Sequence, residues 1–556
     1  MPTDDAANTP TEAGKRGLLR AWLAIAVILA ILAVGLSVVE DYGIASDEIH
    51  GIDLLSRNYE LVVNDIPIEG VYKYDGTIFN FAAEGAYQFY KHLVAGPELT
   101  RELDRDMTTA FRTRIVVKHV VTFLASLLAY AGVAFMVGLL CGWRYAWAGP
   151  VLLFLMPRFF GHSFFNFKDV PFAAFFTLCS LHGAYIVNRA LSIGLNGVGN
   201  RNVMGGFAIY GLLVSVLTAI RFGGFVLLFY PAAAWVVMKV LTRPPGALPV
   251  HRLAGACLLA FGCWFAGTVL MYPLLWNDPL GGIVGMVKTM SDYPWPGTVL
   301  FDGEFIRSYS LPASYLPVWL AITTPVLTLA AAAGGFGWLL CRWHAMDPLP
   351  RVLVIFIFMQ AFLLPVTTVV TGATYYDGLR HFMFILPALA VAAGAALIRL
   401  YQAIPHRIVR VAFLILLGLG YTPVALDMAK LHPYEHTYFN RAFGGLAAAD
   451  DRFETDYWGL SLREGAEWLQ RNVPADATVV VGGPLHSVEP FVDRGMRLIP
   501  LQEIKSGEAQ QPDEPFYYIA RPRWQLHEEY GGCATVFAVT RDETPLSIVR
   551  HCGSTD

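Results

Sequence analysis

The chain returns again and again to runs without a charged side chain that are long enough to cross a bilayer. The first, Ala21 to Val39, contains no charge at all, and roughly 20 apolar residues suffice for one crossing. Further runs lie near 115–140, 144–158, 170–188, 203–220, 223–240, 253–272, 313–341, 351–371, 381–399 and 410–428. The fold class expected is therefore a polytopic α-helical membrane protein with about eleven spans. Composition agrees, since 15% of the 556 residues are charged against about 25% in an ordinary soluble domain. A net charge of −4 gives no footprint for nucleic acid. The first apolar run is too long for a signal peptide and no small-residue cleavage site follows it, so it reads as a retained anchor.

Short loops on one side carry Lys15, Arg16, Arg20, Arg144, Arg189, Arg201, Lys239, Arg243, Arg252, Arg342, Arg351, Arg399, Arg407 and Arg410. The positive-inside rule makes that side the cytoplasm. Residues 1–18 then form a polar, disordered cytoplasmic N-terminus and 19–429 the membrane core. The opposite side receives the 40–114 loop, the 273–312 loop and a tail domain, 430–556. In the first loop, "FNFAAEGAYQFYKHLV" spaces Phe79, Tyr87, Tyr90 and Leu93 as an amphipathic helix lying along the membrane interface would. "PELTRELDRDMTTAFRTR" reads as a polar helix leading into the second span. In the tail, "FETDYWGLSLREGAEWLQRNV" reads as a helix, "ATVVVGGPL" and "EPFYYIA" as strands, and "CATVFAVTRDETPLSIVRHC" as a hairpin. The tail is thus expected to be a small α/β domain. A two-residue turn at Asp542–Glu543 would set Cys533 opposite Cys552, close enough for a disulfide in an oxidising periplasm.

Candidate chemistry gathers at the span ends on that outer side. Asp47 and Glu48 follow the first span in "ASDEIHG", and Asp169 opens another in "KDVPFAAFF". Asp169 either caps that helix, as Asp before a first-turn proline does well, or takes part in a reaction. Lys73, Arg158, Lys168, Arg221, Arg380 and His381 face the same side. This many cations converging at one interface point to an anion. Asp75, beside Lys73, is a candidate substrate contact. Asn277 and Asp278 in "MYPLLWNDPLGG" mark either a turn or a further contact. Lys118 and His119, at the start of the second span, read as snorkelling residues.

These motifs resemble those of the polytopic GT-C glycosyltransferases that use polyprenyl-phosphate sugars, in the aminoarabinose transferase and protein O-mannosyltransferase branch. The acid of "ASDEIHG", the acid of "KDVPFAAFF" and the arginine of "DGLRHFMFILPALA" carry the likeness over roughly 19 to 400. "HPYEHTYFNRAFGG" and "FETDYWGLSLREGAEWL" resemble the tails of bacterial glycosyltransferases. The resemblance implies direct, inverting transfer in a bacterial inner membrane, from a polyprenyl-phosphate-linked sugar to an acceptor on the periplasmic side. Asp47 would be the base for the acceptor hydroxyl. Glu48, its neighbour, would point about 100° away on a helix. Arg380 would hold the phosphate, helped by Arg221, Lys73 and His381, and Asp169 would orient hydroxyls. Where family members carry a lysine followed by prolines, this chain has "YKYDGTIFN". Some members hold a divalent metal by the acids, which would fall near Asp47, although no ligand spacing here demands one. The rival class is a secondary transporter or flippase for a lipid-linked or anionic substrate. Its sites tend to lie at the midplane of broken helices in paired halves, which this chain does not display.

Overall fold

A spanning helix satisfies its backbone polar groups internally, so apolar runs of this length fold as helices first and pack second. A computed structural model describes residues 21–193, 200–291, 293, 295–513 and 515–553. The expected disordered N-terminus, with Lys15, Arg16 and Arg20, lies outside the described residues.

The first span, α1 (Trp22–Val38), is followed by α2 (Glu48–Asn64), α3 (Ile78–Phe89) and α4 (Pro97–Arg105) in the first loop. The long α5 (Met107–Cys141) comes next, its start capped by Asp106, which accepts from Thr108 N–H. Two short helices, α6 (Ala148–Phe154) and α7 (Pro157–Phe165), precede α8 (Asp169–Leu191). The chain continues through α9 (Asn200–Ile220), α10 (Tyr230–Thr242), α11 (Val250–Met271), α12 (Pro279–Ser291) and a hairpin of β1 (Thr298–Phe301) and β2 (Glu304–Arg307). It then forms α13 (Tyr315–Thr323), α14 (Val326–Arg342), α15 (Pro348–Phe358), α16 (Leu364–Thr371), α17 (Ile385–Ala403) and α18 (Arg407–Leu431).

Among the described residues ten helices are long and apolar enough to cross a membrane. The run expected at 144–158 is not one of them. Pro157 pushes Met156 into an extended conformation (φ −104°, ψ 94°) and splits the segment into α6 and α7. The broken pair still returns the chain across the bundle. The start of α5 lies beside the start of α8, with Lys118 Nζ 3.5 Å from the Phe167 ring centre. The far end of α5 meets the end of α17, where Arg399 donates to the Leu140 carbonyl. The run at 313–341 breaks for the same reason at Thr324–Pro325. Helix packing relies on missing side chains: a Cβ on Gly211 would lie 2.1 Å from the Ala260 carbonyl oxygen, and one on Gly335 would lie 1.9 Å from that of Ala392. Small residues let backbones approach closely in this way where apolar burial alone gives little net drive.

The loop helix α3 turns Phe79, Ala83 and Tyr87 inward and leaves Phe89 and Leu93 exposed beyond them, so it has two apolar sides rather than one. The α2 helix was not anticipated. In the tail the expected helix is shorter: residues 453–461 form turns, and only α19 (Leu462–Asn472) is helical. It lays Leu462, Ala466 and Leu469 on Val479, Val481, Ile519 and Val549. Those residues belong to a five-stranded sheet of β3 (Thr478–Gly482), β4 (Arg497–Pro500), β5 (Phe516–Ala520), β6 (Ala534–Arg541) and β7 (Thr544–Cys552), with a short α20 (Leu501–Ser506) after β4. The spatial order is β4-β3-β5-β7-β6, parallel across β4, β3 and β5 and antiparallel beyond. Asp542 and Glu543 form the β6–β7 turn with φ of 45° and 64°, the left-handed geometry a two-residue hairpin needs. Two irregularities in the β6–β7 ladder cancel, Ala534 pairs with His551, and Cys533 and Cys552 are joined in a disulfide.

Candidate active site

After α1 the chain runs extended through Tyr42 and enters α2 at Asp47, so two neighbouring acids leave the backbone in different directions. Glu48 is fully buried: its Oε2 accepts from the Ala45 N–H at 2.9 Å, and both carboxylate oxygens lie 3.1 Å from His119 Nε2. Lys118 donates to the Glu48 carbonyl at 3.4 Å. Glu48 therefore braces the segment. His119 and Lys118, expected to snorkel, are instead buried partners of Glu48, His119 on its carboxylate and Lys118 on its carbonyl.

Asp47 turns the other way. Its Oδ2 lies 2.8 Å from Arg380 Nη1, and its side chain keeps 36% of its surface exposed against 6% for Arg380. Arg380 Nη2 lies 3.2 Å from Asp377 Oδ2. The Tyr376 and Trp458 rings sit against the same guanidinium, at 5.0 and 5.2 Å. Burial pushes the Asp47 carboxyl up, but Arg380 and then Lys168 outweigh it and hold the group down at about 2.

A second group stands on α8. Asp169 Oδ1 lies 2.9 Å from Arg221 Nε, and its Oδ2 accepts from Asn166 Nδ2 at 2.9 Å. The capping alternative does not apply to Asp169: Lys168 holds the N-cap position, and the Asp169 carboxylate takes Arg221 and Asn166 while its N–H donates to Asn166 Oδ1 at 2.9 Å. Lys168 Nζ lies 2.8 Å from Asp75 Oδ2, with His50 Nε2 at 3.2 Å from the same oxygen. Burial raises the Asp75 carboxyl, yet Lys168 and the His50 hydrogen bond carry it well below the usual carboxylate range.

Other candidates fall outside these groups. Burial, reinforced by Arg221 and Arg380, pushes His381 far below its ordinary value, so it stays a neutral imidazole rather than the cation expected for a phosphate. Arg158 is buried between Trp319 and Phe439 and donates to the Tyr438 carbonyl, a packing role. Asp278 uses its carboxylate on the Gly281 N–H at 2.9 Å, the turn reading. Neither it nor the exposed Asn277 hydrogen-bonds to the acid–cation groups among the described residues. Lys73 lies 5.1 Å from the Tyr74 ring centre and has no carboxylate partner among the described residues.

Three participants went unanticipated. Asp377, three residues before Arg380, bridges that arginine to Arg523, whose Nη2 lies 2.7 Å from Asp377 Oδ1. Trp458 packs on Arg380 and accepts the Ser46 N–H at its carbonyl, 3.1 Å away. The spacing of Asp377 and Arg380 was a local signal, whereas nothing near Arg523 or Trp458 in sequence pointed to Arg380.

The acids do not suit a divalent metal near Asp47: Asp47, Asp75 and Asp169 each already face a guanidinium or ammonium group. A metal-type cluster among the described residues is Asp451, His527 and Glu528, which includes none of those acids.

No family model and no curated protein matches the chain in sequence. Its fold, however, is that of a polytopic α-helical membrane protein with known structural neighbours. The structure is similar to the oligosaccharyltransferase of Archaeoglobus fulgidus in its apo form, at 13% identity and a TM-score of 0.51, over 86% of this chain and 64% of that one. It is also similar to ArnT from Cupriavidus metallidurans bound to undecaprenyl phosphate, at 14% identity and a TM-score of 0.48, over 95% of this chain and 97% of that one.

Proposed function

We propose that the protein is an inner-membrane glycosyltransferase that moves a sugar from a polyprenyl-phosphate carrier to an acceptor on the periplasmic side. The observation that carries this reading is the Asp47–Arg380 pair: a half-open carboxylate beside a buried arginine, at the end of the bundle where Asp169–Arg221 and Asp75–Lys168 also lie. While Arg380 is bound to it, Asp47 is a poor base. A donor phosphate competes for that guanidinium, and its arrival frees the carboxylate to accept a proton. The acceptor oxygen then attacks the anomeric carbon as its proton passes to Asp47. The bond from that carbon to the phosphate oxygen breaks with inversion, and the polyprenyl phosphate departs against Arg380, with Lys73 as a further cation. Asp169, at the start of α8, and Asn166, just before it, orient hydroxyls.

The test is turnover of synthetic polyprenyl-phosphate sugars by the purified protein with envelope extracts as acceptor source. Release of polyprenyl phosphate supports the reading; silence across a panel of sugars sinks it. Orientation is tested separately by maleimide labelling of denatured membranes with and without reductant. Labelling of Cys533 and Cys552 only after reduction supports a periplasmic tail.

A further inference from the structure

Resting on that reading, we infer that Arg523 of the tail is a positioning residue for donor binding, acting through Asp377 to hold Arg380 in place. The Asp377 carboxylate is shared: Oδ1 takes Arg523 Nη2 at 2.7 Å and Oδ2 takes Arg380 Nη2 at 3.2 Å. All three side chains are nearly sealed from solvent, with relative exposures of 2% for Asp377, 6% for Arg380 and 6% for Arg523. Two buried guanidinium groups this near would repel without the acid between them, and the acid would have one unused oxygen without Arg523. The backbone serves the same end. Asp377 adopts φ +59° and Gly378 φ +67°, and the Gly378 N–H is held by the buried Tyr315 hydroxyl at 2.9 Å. A left-handed pair of this kind persists where its surroundings fix it. The loop that presents Arg380 is therefore clamped from the tail.

A second set of contacts points the same way. The tail also grips the segment carrying Asp47: Trp458 accepts the Ser46 N–H at 3.1 Å, Ser487 Oγ donates to the Ile44 carbonyl at 2.7 Å, and His486 lies 3.4 Å from the Ala45 carbonyl oxygen. Both members of the Asp47–Arg380 pair are thus held from one side by membrane-core helices and from the other by tail residues. Arg523 touches neither Asp47 nor the open face beside it. Its contact with the phosphate-binding guanidinium runs through Asp377, and its charge adds, behind Arg380 and Lys168, to those that hold the Asp47 carboxyl down.

The experiment compares Arg523→Gln and Arg523→Lys with the parent in the full-length protein, using two readouts. The first needs no donor: amide hydrogen exchange across 375–382 is expected to speed up in Arg523→Gln while the α17 helix behind it stays protected. Unchanged exchange in the loop overturns the inference whatever the protein's activity. So does loss of protection throughout α17, which would mark a general folding defect. The second readout is binding of undecaprenyl phosphate, expected to weaken about tenfold in Arg523→Gln, within reach of a residue one contact removed from a site. Arg523→Lys should recover part of the affinity. Under turnover the loss should fall on KM for the donor, with kcat little changed. If the parent binds undecaprenyl phosphate and Arg523→Gln binds it equally well, the inference falls and the functional reading survives. If the parent itself does not bind it, the functional reading falls, and with it the donor half of the inference.

Discussion

The two ends of the helix bundle use their arginines in opposite ways. At the Asp47 end three cations face carboxylates: Arg380 with Asp47 and Asp377, Arg221 with Asp169, Lys168 with Asp75. At the other end three arginines bond backbone oxygen. Arg399 donates to the Leu140 carbonyl at the close of α5, Arg410 to that of Ile404 after α17, and Arg351 to those of Trp343, His344 and Met346 after α14. Carbonyls left over at helix C-termini carry partial negative charge, and a guanidinium there needs no further explanation. Side-chain ion pairs sheltered from water are different. Their desolvation is not repaid by attraction alone, so a cluster of them calls for a use, and the comparison separates arginines that finish helices from arginines that wait for a ligand.

Asp47→Asn is the largest expected effect. The amide keeps the shape and can still meet Arg380 but cannot take the acceptor's proton, so transfer should fall by about 10²-fold or more, with undecaprenyl phosphate binding retained. Glu48→Gln should cost less transfer, since that side chain faces His119. A rate for Asp47→Asn within about tenfold of the parent, some 1.4 kcal/mol of barrier, would erase the distinction between the two acids.

Arg380→Ala comes next and should weaken binding of undecaprenyl phosphate by about 2 kcal/mol or more. Arg380→Lys should restore part of it, because a point charge cannot bridge two carboxylates as the fork does. Equal affinity in the alanine variant would remove Arg380 from the phosphate site. At the opposite end Arg399→Gln should cost about 1 kcal/mol of stability through the lost carbonyl bond and leave transfer unchanged. Thermal unfolding and turnover of the same preparation check both halves, and a loss of transfer without a loss of stability would break the contrast between the ends.

Much of this contrast was legible in the sequence, for a physical reason. Spans are announced by twenty-residue runs, and their sides by where arginines accumulate, so Asp47, Asp169, Arg221 and Arg380 could be placed at one interface without a contact being known. Glu48 was separable from Asp47 because neighbouring residues on a helix diverge. What stayed hidden depends on distance in space. Arg523 lies 146 positions from the Asp377 it binds, and no local pattern encodes such a meeting. Proline effects were under-read as well: Pro325 divides a run that hydropathy presents as continuous, and Pro157 starts a new helix at the end of another. His381 failed as a cation for a reason of burial, which a one-dimensional string does not display.

The smallest expected effect lies at the seam between the first span and the tail. His432 Nδ1 is 2.8 Å from Glu435 Oε1 and its Nε2 is 2.9 Å from Asp41 Oδ2. Tyr42 donates to the other Glu435 oxygen at 2.8 Å, and Arg541 donates to the His432 carbonyl. Burial alone would lower the His432 imidazole, but Glu435 and then Asp41 raise it above its ordinary value. A group raised on folding contributes stability that is fully present below its unfolded pKa, about 6.5, and that is lost as pH climbs through the folded value. The Asp41 side chain is 52% exposed, so solvent screening holds its share of the contribution below about 1 kcal/mol. Thermal midpoints of the parent and His432→Gln should therefore differ most below about pH 6 and converge as pH climbs through the raised value. Added salt should shrink the difference through the exposed Asp41 arm first. A gap independent of pH would mean that His432 packs without carrying charge, and the pairing of cations with carboxylates at this end would not extend to its seam with the tail.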